Sequence, residues 1–331
     1  MALVTTYSQK RKEKSIDWLT IMNEGMKVLV ATEKPFAKAA VDGIREIVEK
    51  AGYELALLEK YTDRQQLLDA VADADALIIR SDKVTAEVVD AAKKLKIVVR
   101  AGAGYDNVDL AACTARGIVV MNTPGQNSNA VAELALGMMI YMSRNQFTPG
   151  TGHEIHGKKL GIHAYGNVGR IVGRYAKALG MKVCAFDPFT DPKVFECDDV
   201  ETVGSVEALY SSCDYISVHI PATEQTKKSL NYDLLSKLPK GAVVVNTARK
   251  EVVDEEGLMK VLSEREDLKY VTDIAADNQA ALNEKFGKRV FATPKKMGAE
   301  TAEANINAGL AAARQIVEFF VNGDRKFQVN K

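Results

Sequence analysis

The stretch Leu160-Gly-Ile-His-Ala-Tyr-Gly-Asn-Val-Gly-Arg170 constrains the fold of this chain more than any other. It reads as a short apolar strand (Leu160 to His163), a turn of small residues, and a helix opening near Asn167. The spacing Ala164-x-Gly166-x-x-Gly169 is one methyl group away from a G-x-G-x-x-G turn. A glycine at Gly166 lets a pyrophosphate approach the backbone, and one at Gly169 lets the helix pack closely on its strand. The helix N-terminus then offers unbonded N–H groups and a positive dipole end to phosphate. Downstream, Lys182-Val-Cys-Ala-Phe186 reads as a second strand ending in Asp187. That places a carboxylate about 20 residues past the turn, where an adenosine ribose hydroxyl is bound. An ordinary βαβ unit would need no such acid. The combination predicts a dinucleotide-binding, Rossmann-type unit.

The rest of the chain is read around that unit. With 331 residues it exceeds one modest core and suits two domains. Formal net charge is zero, which argues against a nucleic-acid or anionic-membrane partner, and no apolar run reaches transmembrane length. Cys113, Cys184, Cys197 and Cys213 are scattered, without a C-x-x-C pair, so buried thiols in a reducing cytoplasm are expected rather than metal ligands. Residues 1–25 carry a charge cluster, Gln9 to Lys14, and a possible short amphipathic helix, Ser15 to Met22; they are expected to be an accessory N-terminal extension without signal-peptide character. From Met26 onward short apolar runs alternate with stretches of helical spacing. Strands are predicted at Val28 to Ala31, Glu54 to Leu58, Ala76 to Arg80, Ile97 to Arg100 and Ile118 to Met121. After a helix from Asn129 to Arg144, further strands follow the dinucleotide turn at Tyr215 to Val218, Ala242 to Val245, Tyr270 to Ile274 and Val290 to Ala292. This alternation implies parallel crossovers and helix-covered sheets. A last helix, Ala302 to Val321, is expected to return to the first domain, and the tail Arg325 to Asn330 to dock.

Several stretches together resemble the D-isomer-specific 2-hydroxyacid dehydrogenases. They are Arg100-Ala-Gly-Ala-Gly-Tyr-Asp-Asn107, Asn122-Thr-Pro, Ala132-Glu133, Gly157 to Gly161, Asp187-Pro188, Val218-His-Ile-Pro221 and Asn246-Thr-Ala-Arg249. The resemblance runs from about Met26 to Lys331, and is strongest to the branch that acts on D-3-phosphoglycerate and opens phosphorylated serine synthesis, in a short form without a regulatory domain. It implies an α/β fold of two doubly wound parallel sheets with a cleft between them. One is a discontinuous flavodoxin-like substrate domain (26–121 and 304–331); the other is a Rossmann NAD domain (122–303). NAD contacts are then expected from Tyr165, Gly166, Asn167, Val168, Gly169, Asp187, His219, Ile220, Pro221, Thr247, Ala248, Arg249, Asp273 and Gly298. A cytoplasmic homodimer is also implied. Other D-2-hydroxyacid dehydrogenases, for glyoxylate/hydroxypyruvate or 2-hydroxyglutarate, and a catalytically inactive NAD-binding sensor or corepressor-like protein remain the alternatives.

Oxidising a 2-hydroxy acid requires a cation for the carboxylate, a base for the hydroxyl proton and a nicotinamide facing C2. Arg249 follows an apolar strand and supplies a fork that matches a carboxylate. The Gly102-Ala103-Gly104 turn is expected to add backbone N–H groups. Lys60, Arg80, Ser81 and Lys83 stand at strand ends of the first domain, where converging cations suit a phosphate dianion. The base departs from the family pattern. Its histidine follows Thr-Pro; here one reads Thr293-Pro-Lys-Lys-Met-Gly298, and its partner glutamate is Asn278. None of the four histidines (His153, His156, His163, His219) falls in that slot. Counting back from Gly298 places Lys296 there, with Lys295 as the extra residue. A free lysine titrates at roughly 10.4, so burial or Arg249 nearby is expected to lower it. No metal is called for.

Overall fold

The structure, a computed structural model, describes residues 25–330. The expected N-terminal extension, with its short helix, therefore lies outside the described residues except for Gly25. The chain divides into two compact units, one running to Asn127 and resuming at Ala302, the other Ser128–Thr301.

In the first unit β1 (Lys27–Thr32), β2 (Glu54–Glu59), β3 (Ala76–Ile79), β4 (Ile97–Arg100) and β5 (Val119–Asn122) form a parallel sheet in the order β2-β1-β3-β4-β5. Runs such as Ile97-Val-Val and Ala76-Leu-Ile-Ile are buried at every position. That is what a parallel strand covered by helices on both faces demands. The covering helices obey the same logic. Lys38–Lys50 buries Ala40, Ile44 and Val48, four residues apart on one stripe. Arg64–Val71 starts at a capping box, in which the Asp63 carboxylate accepts from the Gln65 amide and Gln66 reaches back. The expected β5 boundary at Ile118 moves one residue on. The Ile118 amide closes the preceding helix on the Cys113 carbonyl at 2.9 Å and cannot join the ladder.

The helix Ala302–Asn322 belongs to this first unit and packs on Lys38–Lys50. Close approach is allowed by glycine: a Cβ at Gly43 would come within 2.5 Å of Leu310 Cδ2. The tail does dock. The Val329 amide donates to the Val120 carbonyl, and the buried Asn330 side chain accepts from the Val120 amide at 2.7 Å and donates to the Ile118 carbonyl at 2.8 Å. Otherwise open, the β5 edge is thereby partly closed.

The second unit holds β6 (Lys159–His163), β7 (Lys182–Phe186), β8 (Glu201–Thr202), β9 (Tyr215–Val218), β10 (Val243–Asn246), β11 (Lys269–Thr272) and β12 (Val290–Ala292), again all parallel, in the order β12-β11-β10-β9-β6-β7-β8. The order reverses between β6 and β9 here, and between β1 and β3 in the first unit. Open parallel sheets bind ligands beyond the strand carboxyl ends at such points. Helices at Val206–Ser212, Glu255–Glu264 and Gln279–Phe286 were not expected from the sequence. Of the cysteines, Cys113, Cys184 and Cys213 are buried as expected, whereas Cys197 is exposed.

Candidate active site

At the β6 carboxyl end Ala164 takes the place of the first glycine with φ of 79°, a conformation that glycine adopts freely and alanine only under strain. Gly169 could not carry a side chain, because a Cβ there would sit 2.3 Å from the Ala164 carbonyl oxygen. Gly166 is different: its added Cβ would meet no heavy atom within 4 Å. It begins the helix Asn167–Ala178 without any side-chain cap, so the first amides, those of Asn167 and Val168 among them, stay uncapped toward that open side. These features fit a dinucleotide pyrophosphate. Asp187, just past β7, is more occupied than expected. Its Oδ2 accepts from the Tyr165 amide (2.8 Å) and Thr190 Oγ1 (3.0 Å), and its Oδ1 from the Phe189 amide (2.9 Å). It braces the turn as well as standing where a ribose is expected. Tyr165 needs correction as a cofactor contact. Its side chain is 1% exposed and stacks on Phe195 with centroids 4.9 Å apart, while its amide is taken by Asp187.

Beyond β9 and β10 the structure joins two of the expected motifs. His219 Nδ1 lies 3.4 Å from Thr247 Oγ1, and Nε2 lies 2.8 Å from Ser217 Oγ. Burial pushes its imidazole down to about 3, so it is neutral at physiological pH. His163 is likewise held down to about 4 by burial, against the nearby Asp187 charge. Ile220 is buried and Pro221 exposed at the same edge. Asn246, not singled out from the sequence as a site residue, shapes the turn that carries Thr247, Ala248 and Arg249. Its Oδ1 accepts from the Ala248 amide at 3.0 Å, and its Nδ2 donates to the Arg249 carbonyl at 3.1 Å. Arg249 is half-buried and its guanidinium donates to the Ala248 carbonyl at 2.9 Å.

Asp273 is 1% exposed and its carboxylate closes the lysine turn. Oδ1 accepts from Thr293 Oγ1 (3.0 Å) and the Met297 amide (2.7 Å), and Oδ2 from the Gly298 amide (2.8 Å). A Cβ at Gly298 would press on that oxygen at 2.9 Å. Between these fixed ends Lys295 and Lys296 are both exposed, so the burial expected to lower a lysine base is not supplied. Asn278 opens the helix Gln279–Phe286; its amide donates to Glu255 Oε2 at 3.2 Å, and its buried Oδ1 has no hydrogen-bond partner among the described residues.

In the first unit the expected anion-binding loops gather around a residue the sequence reading passed over. Asp82 is 4% exposed and accepts from the Glu33 amide (2.7 Å), Tyr61 hydroxyl (2.9 Å) and Arg80 amide (3.3 Å), tying together the loops after β1, β2 and β3. The Arg80 guanidinium is less available than expected. It donates to the Lys34 and Pro35 carbonyls (both 3.2 Å) and Asn305 Oδ1 (2.6 Å), over the Phe36 ring. Lys60, Ser81 and Lys83 are exposed, Lys60 with φ of 56°. The Gly102 amide is spent on the Arg100 carbonyl at 2.9 Å, so it is not free for a carboxylate; the amides of Ala103 and Gly104 have no acceptor among the described residues. Glycine is favoured at Gly102 by its φ of 151°, and a Cβ there would also displace the Arg100 guanidinium.

A family model described as D-isomer specific 2-hydroxyacid dehydrogenase, catalytic domain, matches residues 31–330. The D-3-phosphoglycerate dehydrogenase of Methanocaldococcus jannaschii is 35% identical over 268 residues, 76% of this chain and 51% of its own length. The hydroxypyruvate reductase of Thermotoga maritima is 34% identical over 286 residues, 80% of this chain and 90% of its own. Among solved structures, NAD+-bound 3-phosphoglycerate dehydrogenase from Entamoeba histolytica aligns with a TM-score of 0.81 and 51% identity, across 93% of this chain and 99% of that one. The chain thus spans about half the length of the Methanocaldococcus jannaschii relative. Among the described residues no helix is long and apolar enough to cross a membrane.

Proposed function

Because the chain belongs to the D-isomer-specific 2-hydroxyacid dehydrogenases, we propose that it oxidises D-3-phosphoglycerate to 3-phosphohydroxypyruvate with NAD. The observation that carries the cofactor is the Ala164–Gly169 turn, open over Gly166 and leading into an uncapped helix, with Asp187 at the end of the neighbouring strand. Gly166, Asn167, Val168 and Asp187 would hold NAD, which would supply the hydride acceptor for the oxidation at C2. The remaining tasks fall to the chain. In the second unit Arg249 pairs with the substrate carboxylate. Lys296 takes the hydroxyl proton, and Lys60, Ser81 and Lys83, with the already engaged Arg80, receive the phosphate. Asp187 disfavours NADP by repelling a 2′-phosphate. The 51% identity to an NAD+-bound 3-phosphoglycerate dehydrogenase supports both cofactor and substrate.

A second reading has its own support. The relative matched over 90% of its length is a hydroxypyruvate reductase, and Arg80 already satisfies three protein acceptors. Unphosphorylated D-glycerate would then be the better substrate. Purified chain with NAD at alkaline pH decides the matter through NADH absorbance. Turnover of 3-phosphoglycerate well above D-glycerate supports the first reading, and the reverse order the second. NAD binding without turnover of either acid leaves a sensor. The cytoplasmic homodimer implied by the resemblance remains part of the proposal, and sedimentation tests the dimer.

A further inference from the structure

Arg249 has one guanidinium hydrogen bond among the described residues, and its acceptor is the preceding carbonyl. Its aim is therefore set by the backbone of the turn it stands on, and that turn is held by Asn246. The Asn246 carboxamide is 1% exposed, and its orientation is fixed because Oδ1 must accept the Ala248 N–H at 3.0 Å. Nδ2 then has two hydrogens to place. One goes to the Arg249 carbonyl at 3.1 Å, and the other to the Tyr270 hydroxyl at 3.2 Å. Tyr270 sits on β11, 3% exposed, in the apolar cluster that includes Ile216, Leu258 and Leu262. Its neighbour Thr272, paired in register with Asn246, donates to the Asn246 carbonyl at 3.0 Å. The Asn246 carboxamide is thereby fully engaged, and the one side-chain acceptor it uses is a tyrosine oxygen inside an apolar layer.

We propose that Tyr270 is a positioning residue for Arg249, acting through Asn246 to hold the carboxylate-binding guanidinium at its station. The inference rests on the dehydrogenase reading above. A phenylalanine at this position keeps the ring and the packing but leaves one buried N–H of Asn246 without an acceptor, a state proteins avoid by rearranging. The rearrangement open to Asn246 is to turn its carboxamide, which releases the Arg249 carbonyl or the Ala248 amide and loosens the arginine.

The test uses oxalate, a planar dicarboxylate, titrated by calorimetry into the full chain loaded with NADH. Tyr270→Phe is expected to weaken oxalate about tenfold, with NADH affinity within about twofold of wild type. In the Arg249→Ala background, which has no guanidinium to position, the same substitution is expected to change oxalate affinity by less than about twofold. Three results would overturn the proposal: unchanged oxalate binding in Tyr270→Phe, an equal loss of NADH and oxalate affinity, or the full tenfold loss persisting in the Arg249→Ala background. A wild-type chain that fails to bind NADH sinks the dehydrogenase reading and this inference together. Normal NADH binding with any of those three results sinks the inference alone.

Discussion

Lys295 and Lys296 differ by one position in a turn whose two ends are both fixed by Asp273. Which of them can act on a substrate hydroxyl is decided by that clamp, because it sets the phase of an exposed four-residue bulge rather than burying either ammonium. Lys296→Ala should lower kcat by roughly 10²–10⁴, the usual contribution of a positioned base, while NAD affinity stays near wild type. Lys295→Ala should cost less than about threefold. Steady-state kinetics beside cofactor titration checks both, and normal turnover by Lys296→Ala would remove it from the mechanism. Asp187 makes a second test at this scale. Its carboxylate serves the Tyr165 and Phe189 amides and Thr190 as well as the expected ribose. Asp187→Ala should therefore weaken NAD by at least tenfold and narrow the preference over NADP, with some loss of stability from the freed amides. Comparing NAD and NADP affinities with the melting temperature separates the two losses; a variant that keeps full NAD preference contradicts the assignment.

The strand–turn–helix of the second unit is where one element stores strain on behalf of a ligand. Ala164 holds φ of 79°, and its carbonyl oxygen fits against the helix only because Gly169 has no Cβ, which would lie 2.3 Å away. Ala164→Gly should relieve the left-handed strain and raise stability by up to about 1 kcal/mol, the gain being limited by glycine's larger unfolded-state entropy. Gly169→Ala should cost about 1–3 kcal/mol, since a backbone atom, not a flexible side chain, is in the way, and should abolish NAD binding. Urea unfolding of both variants checks the signs, and a destabilised Ala164→Gly would mean the turn is not strained. This element was legible in the sequence almost completely, because small-residue spacing and strand ends are local signals. The same holds for β4, β7, β9 and β12, whose bounds coincide with their apolar runs. What the sequence concealed is non-local. Asp82 and Asn246 read as ordinary polar residues until three loops, or one turn, are seen to close on them. Likewise Arg80 looked free for phosphate because its acceptors include Asn305, 225 residues away. The helix Val206–Ser212 is hard to read from the sequence because it is short and buries only Leu209 and Tyr210, whereas Glu255–Glu264 does carry a helical stripe in Leu258, Val261 and Leu262.

Across the whole molecule the histidines are unevenly shared, and this gives the two units different responses to acid. All four, His153, His156, His163 and His219, lie within Ser128–Thr301. Burial holds His163 down to about 4 and His219 to about 3, both below the roughly 6.5 of an unfolded chain. In the window from about pH 6.5 down to about 4 the unfolded second unit therefore binds protons that the folded one refuses. Stability is fully present above that window and falls as pH falls through it. For His163, 8% exposed, lowering pH from 7 to 5 removes about 2 kcal/mol, from one and a half units at about 1.4 kcal/mol each. The first unit has no histidine among its described residues to titrate in this range. At pH 5 the second unit should thus open first, and hydrogen exchange corrected for intrinsic rates should show β6, β9 and β10 losing protection while β1, β3 and β4 keep it. His163→Gln should flatten the dependence of stability on pH between 7 and 5 by about 2 kcal/mol, whatever it does to stability at pH 7. Equal loss of protection in both sheets, or an unchanged pH slope in His163→Gln, would show that the buried imidazoles do not set the acid limit of this fold.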